Sequence, residues 1–200
     1  MQSIENKIER SIKNKLRGAL ILPGDFFTYG SSEAIRKALH RLEDKKIIVR
    51  VAHGIYVRPK MSEFIGPILP TAEEIAEAIA KRDKLRTVPA GSYALNALGL
   101  STQVPMNIVL LTDGSPRTIK IGKRTIKFKK TTPKNLLAKG KISRLAIQAL
   151  KELGNAKVSE QEVQKIIALL KNEDRQHLVH DIALAPVWIQ NIMKKALNNE

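Results

Sequence analysis

The chain holds few groups that could carry covalent chemistry. His177, His180 and Asp181 stand at helical spacing and could share one face as metal ligands, but no third His or Cys signal accompanies them. A capping or surface role is therefore the expectation. Gly91-Ser92 ahead of a short helix is a start that a nucleotidyl-transfer site can use, yet the paired carboxylates that would hold magnesium are missing downstream. Asp113 stands alone, and Thr112-Asp113-Gly114 reads as turn chemistry. Trp188, two residues after Pro186, reads as packing near a bend. The chain has no cysteine, which excludes disulfides, thiolate catalysis and Cys-ligated zinc or iron–sulfur. The expectation is a protein without catalytic residues, metal or cofactor.

What remains is the chemistry of binding a polyanion. The net charge is +16, and it is concentrated: residues 1–60 carry +7, and residues 116–151 carry twelve basic side chains and no acid. The blocks at 61–115 and 152–200 are close to neutral, at −2 and −1. Local density of Lys and Arg is what polyanion binding requires.

The first basic block has an order to it. Ala34, Ile35, Ala38, Leu39 and Leu42 repeat at three- and four-residue steps and predict one apolar helix stripe, with Arg36, Lys37, His40 and Arg41 on the opposite arc. Ser31 or Ser32 is the expected N-cap, and Glu33 suits the positive end of the helix dipole. Upstream, Pro23–Tyr29 predicts a short helix, with Gly30 as the turn between the two helices. Downstream, residues 47–51 and 55–58 are β-rich runs joined by Ala52-His53-Gly54, which predicts a hairpin carrying Arg50, His53 and Arg58. A helix with a basic outer face followed by a basic hairpin is the order of a winged helix-turn-helix, in which the helix enters the major groove and the wing meets the backbone. Ser31, Ser32, Arg36, Lys37, His40, Arg41, Arg50, His53 and Arg58 are the expected DNA contacts.

Around that unit, Ile4, Ile8, Ile12 and Leu16 form a four-residue ladder for a first helix, and residues 19–22 form a strand able to pair with the wing. Four breaker residues between Pro59 and Pro70 place a connector at 61–70, which divides a winged unit (1–60) from a second domain (71–200). In the second domain, Thr71–Glu74 has capping-box spacing, and residues 107–112, 117–121 and 124–130 predict a three-stranded antiparallel meander joined by turn sequences. In the third of those strands, Ile126 and Phe128 alternate with Lys127 and Lys129, so one face is core and one is charged. Helices follow from Lys134 to about Leu197, with a second capping box at Ser159 and Glu162. The fold class expected is α+β: an N-terminal winged helix, then a domain with a small antiparallel sheet and C-terminal helices. Lys123, Arg124, Lys127, Lys129, Lys130 and Lys134 form a candidate second polyanion contact. The N-terminus has neither the n-region nor the apolar run of a leader, and no apolar stretch approaches a membrane span; the expectation is a cytoplasmic protein with no membrane partner. No feature of the chain specifies an oligomeric state.

The winged unit, through Arg41-Leu42, Ile48, Arg50-Val51 and Gly54-Ile55-Tyr56 with Pro59, resembles the antitoxin and transcriptional-regulator family of abortive-infection type IV toxin–antitoxin systems. Residues 98–105 (LGLSTQVP), 111–114 (LTDG) and 131–135 (TTPKN) are similar to the second domain of a compact subgroup, and the resemblance covers most of residues 1–155. It implies an autoregulator that binds its own promoter as double-stranded DNA, with a second domain that antagonises a nucleotidyltransferase-like toxin, with or without direct contact. One departure is the wing tip, where many members carry Arg or Lys before the glycine and this chain has His53, a residue type only partly charged near neutrality. From another class, the alternative is a non-catalytic adaptor whose winged helix and basic face bind protein or RNA.

Overall fold

A computed structural model describes residues 3–64 and 66–198. The chain divides into two compact units, Met1–Ile79 with Ile119–Lys123, and Ala80–Thr118 with Arg124–Glu200. The class is mixed α+β, with small sheets and a helical C-terminal half.

In the first unit, α1 (Ile4–Asn14) begins at Ser3, whose hydroxyl accepts the Asn6 N–H, and buries Ile8 and Ile12. The expected ladder breaks at its fourth rung. Lys15 leaves the helix in an extended conformation and Leu16 is 85% exposed, because Gly18 at φ +88 turns the chain into β1 (Leu20–Ile21). Residues Pro23–Tyr29 are a 3-10 helix that buries Phe26. Gly30 follows at φ 163, an extended geometry open to any residue; its use is space, since a Cβ there would run into the Ile4 side chain. Helix α2 (Ser32–Asp44) buries Ile35, Ala38, Leu39 and Leu42 against α1, the 3-10 helix and Ile48. Strands β2 (Val49–Ala52) and β3 (Ile55–Val57) close a hairpin over His53 and Gly54, with Gly54 at φ +66 and an irregular register between Arg50 and Ala52. β1 pairs with β3, giving the order β1-β3-β2.

The stretch expected to be a connector is itself folded. β4 (Lys60–Ser62) and β5 (Gly66–Ile68) pair antiparallel as a separate two-stranded sheet, which accommodates Pro67 because both strands are edges. Helix α3 (Ala72–Arg82) starts at the capping box: Glu74 N–H donates to Thr71 Oγ1 at 3.2 Å and Thr71 N–H to the Glu74 carboxylate at 2.7 Å.

The second unit corrects the meander. Its sheet has four strands in the order β6-β7-β9-β8, with β6 (Thr87–Ala90), β7 (Asn107–Thr112), β8 (Arg117–Ile121) and β9 (Arg124–Lys130). β6 and β7 are antiparallel, but β7 and β9 are parallel, registered Ile108 to Ile126 and Leu110 to Phe128. All four of those side chains are buried, so the parallel ladder sets the most apolar rungs side by side. β8 alternates half-buried and exposed residues and stays at the edge. The turn after β7 thus joins two strands that are not neighbours. Helix α4 (Ser92–Ala97) starts from Gly91 at φ +63. A 3-10 helix at Pro133–Leu136 leads into α5 (Lys141–Leu153), which packs with α4 on β6. Its other side joins α6 (Glu160–Leu170), α7 (Arg175–Ile182) and α8 (Val187–Lys195) around Leu150, Ile166, Leu170, Leu178 and Ile189.

Candidate nucleic-acid interface

Helix α2 is held by its apolar stripe, so its opposite arc has a fixed direction. Ser31 is consumed as the cap, its hydroxyl accepting the Ala34 N–H at 3.3 Å. Ser32 lends its carbonyl to Arg36 Nε at 3.2 Å. Arg36, Lys37, His40 and Arg41 are all exposed, as the spacing predicts. Two are engaged only within their own helix. Lys37 pairs with Glu33 at 2.8 Å and His40 with Asp44 at 2.9 Å, and the Asp44 carboxylate raises the His40 pKa above its ordinary value. Such exposed i,i+4 pairs contribute little to stability and exchange readily for another anion.

Arg41 is different. It bonds Glu5 at 3.1 Å while Lys45 bonds the other Glu5 oxygen at 2.6 Å, and the Glu5 side chain is only 11% exposed. Lys45, then Arg41, hold that carboxyl below its usual range. Arg41 is therefore a strut between α1 and α2. Arg58 is similarly committed, donating from Nη1 to the Lys13 carbonyl at 2.9 Å, where it closes the C-terminal turn of α1. At the hairpin tip Arg50 Nη2 donates to His53 Nδ1 at 2.9 Å, and both side chains are exposed.

Reading by sequence blocks missed a second basic face on α1. Lys7, Arg10 and Asn14 follow a three- and four-residue spacing and line a shallow hollow with Ser11 and Tyr29. Lys7 and Arg10 make no ion pair among the described residues, and the helical spacing of those polar residues was the available signal.

The basic block at 116–151 separates into structural and uncommitted members. Arg117 lies over the Phe128 ring, 4.9 Å from its centroid, and bonds Asp83, which Arg82 also holds. Bonding to Arg82, with Arg117 adding to it, brings the Asp83 carboxyl down to about 2. Arg124 donates to the Pro105 carbonyl at 3.1 Å. Lys123, Lys129, Lys130 and Lys134 are exposed and Lys127 is half-buried, and none of the five forms an ion pair among the described residues. Lys127 and Lys129 face away from buried Ile126 and Phe128, as the alternation requires. Lys134, Asn135, Arg144 and Gln148 surround a cavity of about 10 Å³, at the lower limit for a single water. Lys151 donates to Asn135 Oδ1 at 2.8 Å, and burial, then the charge of Lys134, lower its pKa.

The His177, His180 and Asp181 constellation resolves into capping. Asp181, fully buried, accepts the Lys139 and Gly140 N–H groups at 2.9 and 2.8 Å and lies 2.7 Å from His180 Nδ1. His177 is in the first turn of α7, which Asp174 caps by accepting the His177 N–H at 2.9 Å. Among the described residues, no three His, Cys, Asp or Glu side chains gather to hold a metal ion. Asp113 serves its turn, accepting the Arg86 N–H at 3.0 Å and its Nε at 2.8 Å, and Arg86 lowers its pKa. Among the described residues, no helix is long and apolar enough to cross a membrane.

No curated protein matches the chain. A family model described as a family of unknown function, DUF6088, matches residues 7–178 and so takes in most of both units. On that match the chain belongs to the DUF6088 family.

Proposed function

We propose that the chain is a DNA-binding transcriptional autoregulator, that residues 1–60 act as a winged helix-turn-helix, and that it is the antitoxin of a type IV pair whose toxin is nucleotidyltransferase-like. One observation carries the DNA reading: α2 is clamped by its buried stripe, while Arg36, Lys37 and His40 on its outer arc are exposed and bonded only within the helix. A rigid helix with exchangeable cations suits major-groove entry, and the neighbouring hairpin offers Arg50 to the backbone. The uncommitted Lys127, Lys129, Lys130 and Lys134 of the second unit suit a sequence-independent phosphate contact. The antitoxin half of the proposal rests on the resemblance of residues 98–105, 111–114 and 131–135.

The test is fluorescence anisotropy of the full chain with a duplex from its own upstream region and with a scrambled duplex, at two salt concentrations. A clear preference for the upstream duplex, with salt-dependent affinity for both, is expected; equal binding refutes the repressor reading. Co-expression with a nucleotidyltransferase-like protein encoded next door, from an unrelated promoter, tests antagonism separately. Protection of the cells is the expected result, and its absence removes the antitoxin half alone.

The adaptor reading has one observation in its favour, the β4–β5 hairpin with Met61 and the 95% exposed Phe64 at its surface. Failure to prefer any duplex, together with capture of the toxin by this hairpin, would favour it.

A further inference from the structure

We infer that the first unit contains a site for a small amphipathic anion, a carboxylate with a short apolar tail, in the cavity bounded by residues 17–20, the ends of β4 and β5, and α3. The cavity holds about 210 Å³, room for about seven waters at their share of liquid volume. Its walls are mixed: Ala19 and Leu20 on one side, Ile68, Leu69 and Pro70 on another, and Ala78 from α3 supply an apolar part, and polar groups supply nearly as much. Ile68 and Leu69 remain more than two-fifths exposed, so the fold leaves them without a partner there.

The polar groups at the rim are chiefly cations. Arg17 and Lys60 both line the cavity, both are exposed, and neither makes an ion pair among the described residues. The backbone draws Lys60 in: Gly18 sits at φ +88, and a Cβ there would come 3.3 Å from Lys60 Cε, so the lysine stem lies along the glycine. One acid also lines the cavity, Glu74, and its carboxylate is engaged by the Thr71 N–H at the start of α3. A second acid, Glu63, lines the adjoining hollow with Arg17, Lys60 and Met61.

These features select the ligand class. A neutral apolar molecule would make no use of the two cations at the rim, and a bare inorganic anion would make no use of the apolar part of the walls. A carboxylate with a tail of roughly seven carbons satisfies both within the available volume. The wall is continuous with the hairpin strand, since Gly18 N–H donates to the Arg58 carbonyl at 2.8 Å and Leu20 pairs with Val57. The site goes beyond DNA recognition and stands whether or not the chain binds an operator.

The test uses the full chain and octanoate as probe, by isothermal titration calorimetry and amide chemical shifts, with acetate and octylamine as controls. Saturable one-to-one binding of octanoate with shifts at Gly18 and Ala78 is expected, with acetate and octylamine weaker by about tenfold or more. Replacing both cations, Arg17→Gln with Lys60→Gln, should weaken octanoate by about tenfold or more. Filling the cavity with Ala78→Phe should abolish binding, and Ala19→Leu on the opposite wall serves if the first variant lacks a cooperative melt. Absence of saturable octanoate binding, equal binding of octylamine, or binding that survives the folded cavity-filling variant would each overturn the site.

Discussion

Arg36 and Arg41 lie on the same arc of α2, yet their surroundings predict opposite consequences of removal. Arg36 is exposed, and its one polar contact is Nε to the Ser32 carbonyl one turn back. Arg36→Ala should therefore leave stability within about 0.5 kcal/mol of the parent, as for other surface positions. If its guanidinium reads a base edge, the operator loses about 1–3 kcal/mol, a factor of about 5 to 140 in Kd, while a scrambled duplex loses much less. Arg41→Ala instead removes one of two cations from Glu5, which keeps Lys45 at 2.6 Å. That costs about 0.2–1 kcal/mol of stability, or a few degrees at most in a chain of this size. Any loss of DNA affinity should be small and similar on both duplexes. Anisotropy titrations on both duplexes, beside thermal melts of parent and variants, separate the two effects. Equal losses for Arg36→Ala on operator and scrambled DNA would show that it touches only phosphate. A melt lowered more by Arg36→Ala than by Arg41→Ala would refute the division of the arc into free and committed cations.

Neutralising Lys127, Lys129 and Lys130 together as Gln should flatten the salt dependence of duplex binding by up to about 0.9 in log–log slope for each phosphate that is no longer neutralised, and an unchanged slope assigns that face to another task. Asp83, held near 2 by Arg82 and Arg117 against an ordinary value of 3.8, contributes stability that is fully present above about pH 4 and lost as pH falls through about 2. Acid titration of Asp83→Asn should lack about 1–2 kcal/mol of that loss, after allowance for partial exposure; parallel curves for parent and variant would show that the pairs contribute nothing. Gly140→Ala places a Cβ against the Glu173 carboxylate that serves the Ile142 and Ser143 N–H groups at 2.6 and 3.0 Å, and it should lower stability by about 1–3 kcal/mol, read as a fall in Tm, with no change in DNA affinity.

What could be read from the sequence and what could not divide along the range of the interactions involved. The α2 stripe, the Ser31 cap, the Thr71 and Ser159 capping boxes and the alternation of β9 are set by neighbours within four residues, and each stands in the structure where its spacing placed it. The pairing of β9 was misread because a turn sequence after β7 reports where the chain bends, and the next strand to pair was decided by the match of Ile108 and Leu110 with Ile126 and Phe128. The same blindness affected the candidate site. Arg41 and Arg58 look like their neighbours in the sequence, but their partners, Glu5 and the Lys13 carbonyl, lie 36 and 45 residues away. A charge balance of +7 over residues 1–60 counts supply only; what a ligand can use is the part the fold has not already spent. On that criterion the set proposed to face DNA contracts toward Arg36, Lys37, His40 and Arg50, and the proposal gains Lys7 and Arg10 on α1. The Arg17 and Lys60 pair remains unspent as well, but it stands beside a cavity with a partly apolar wall, and that setting suits an anion with a tail.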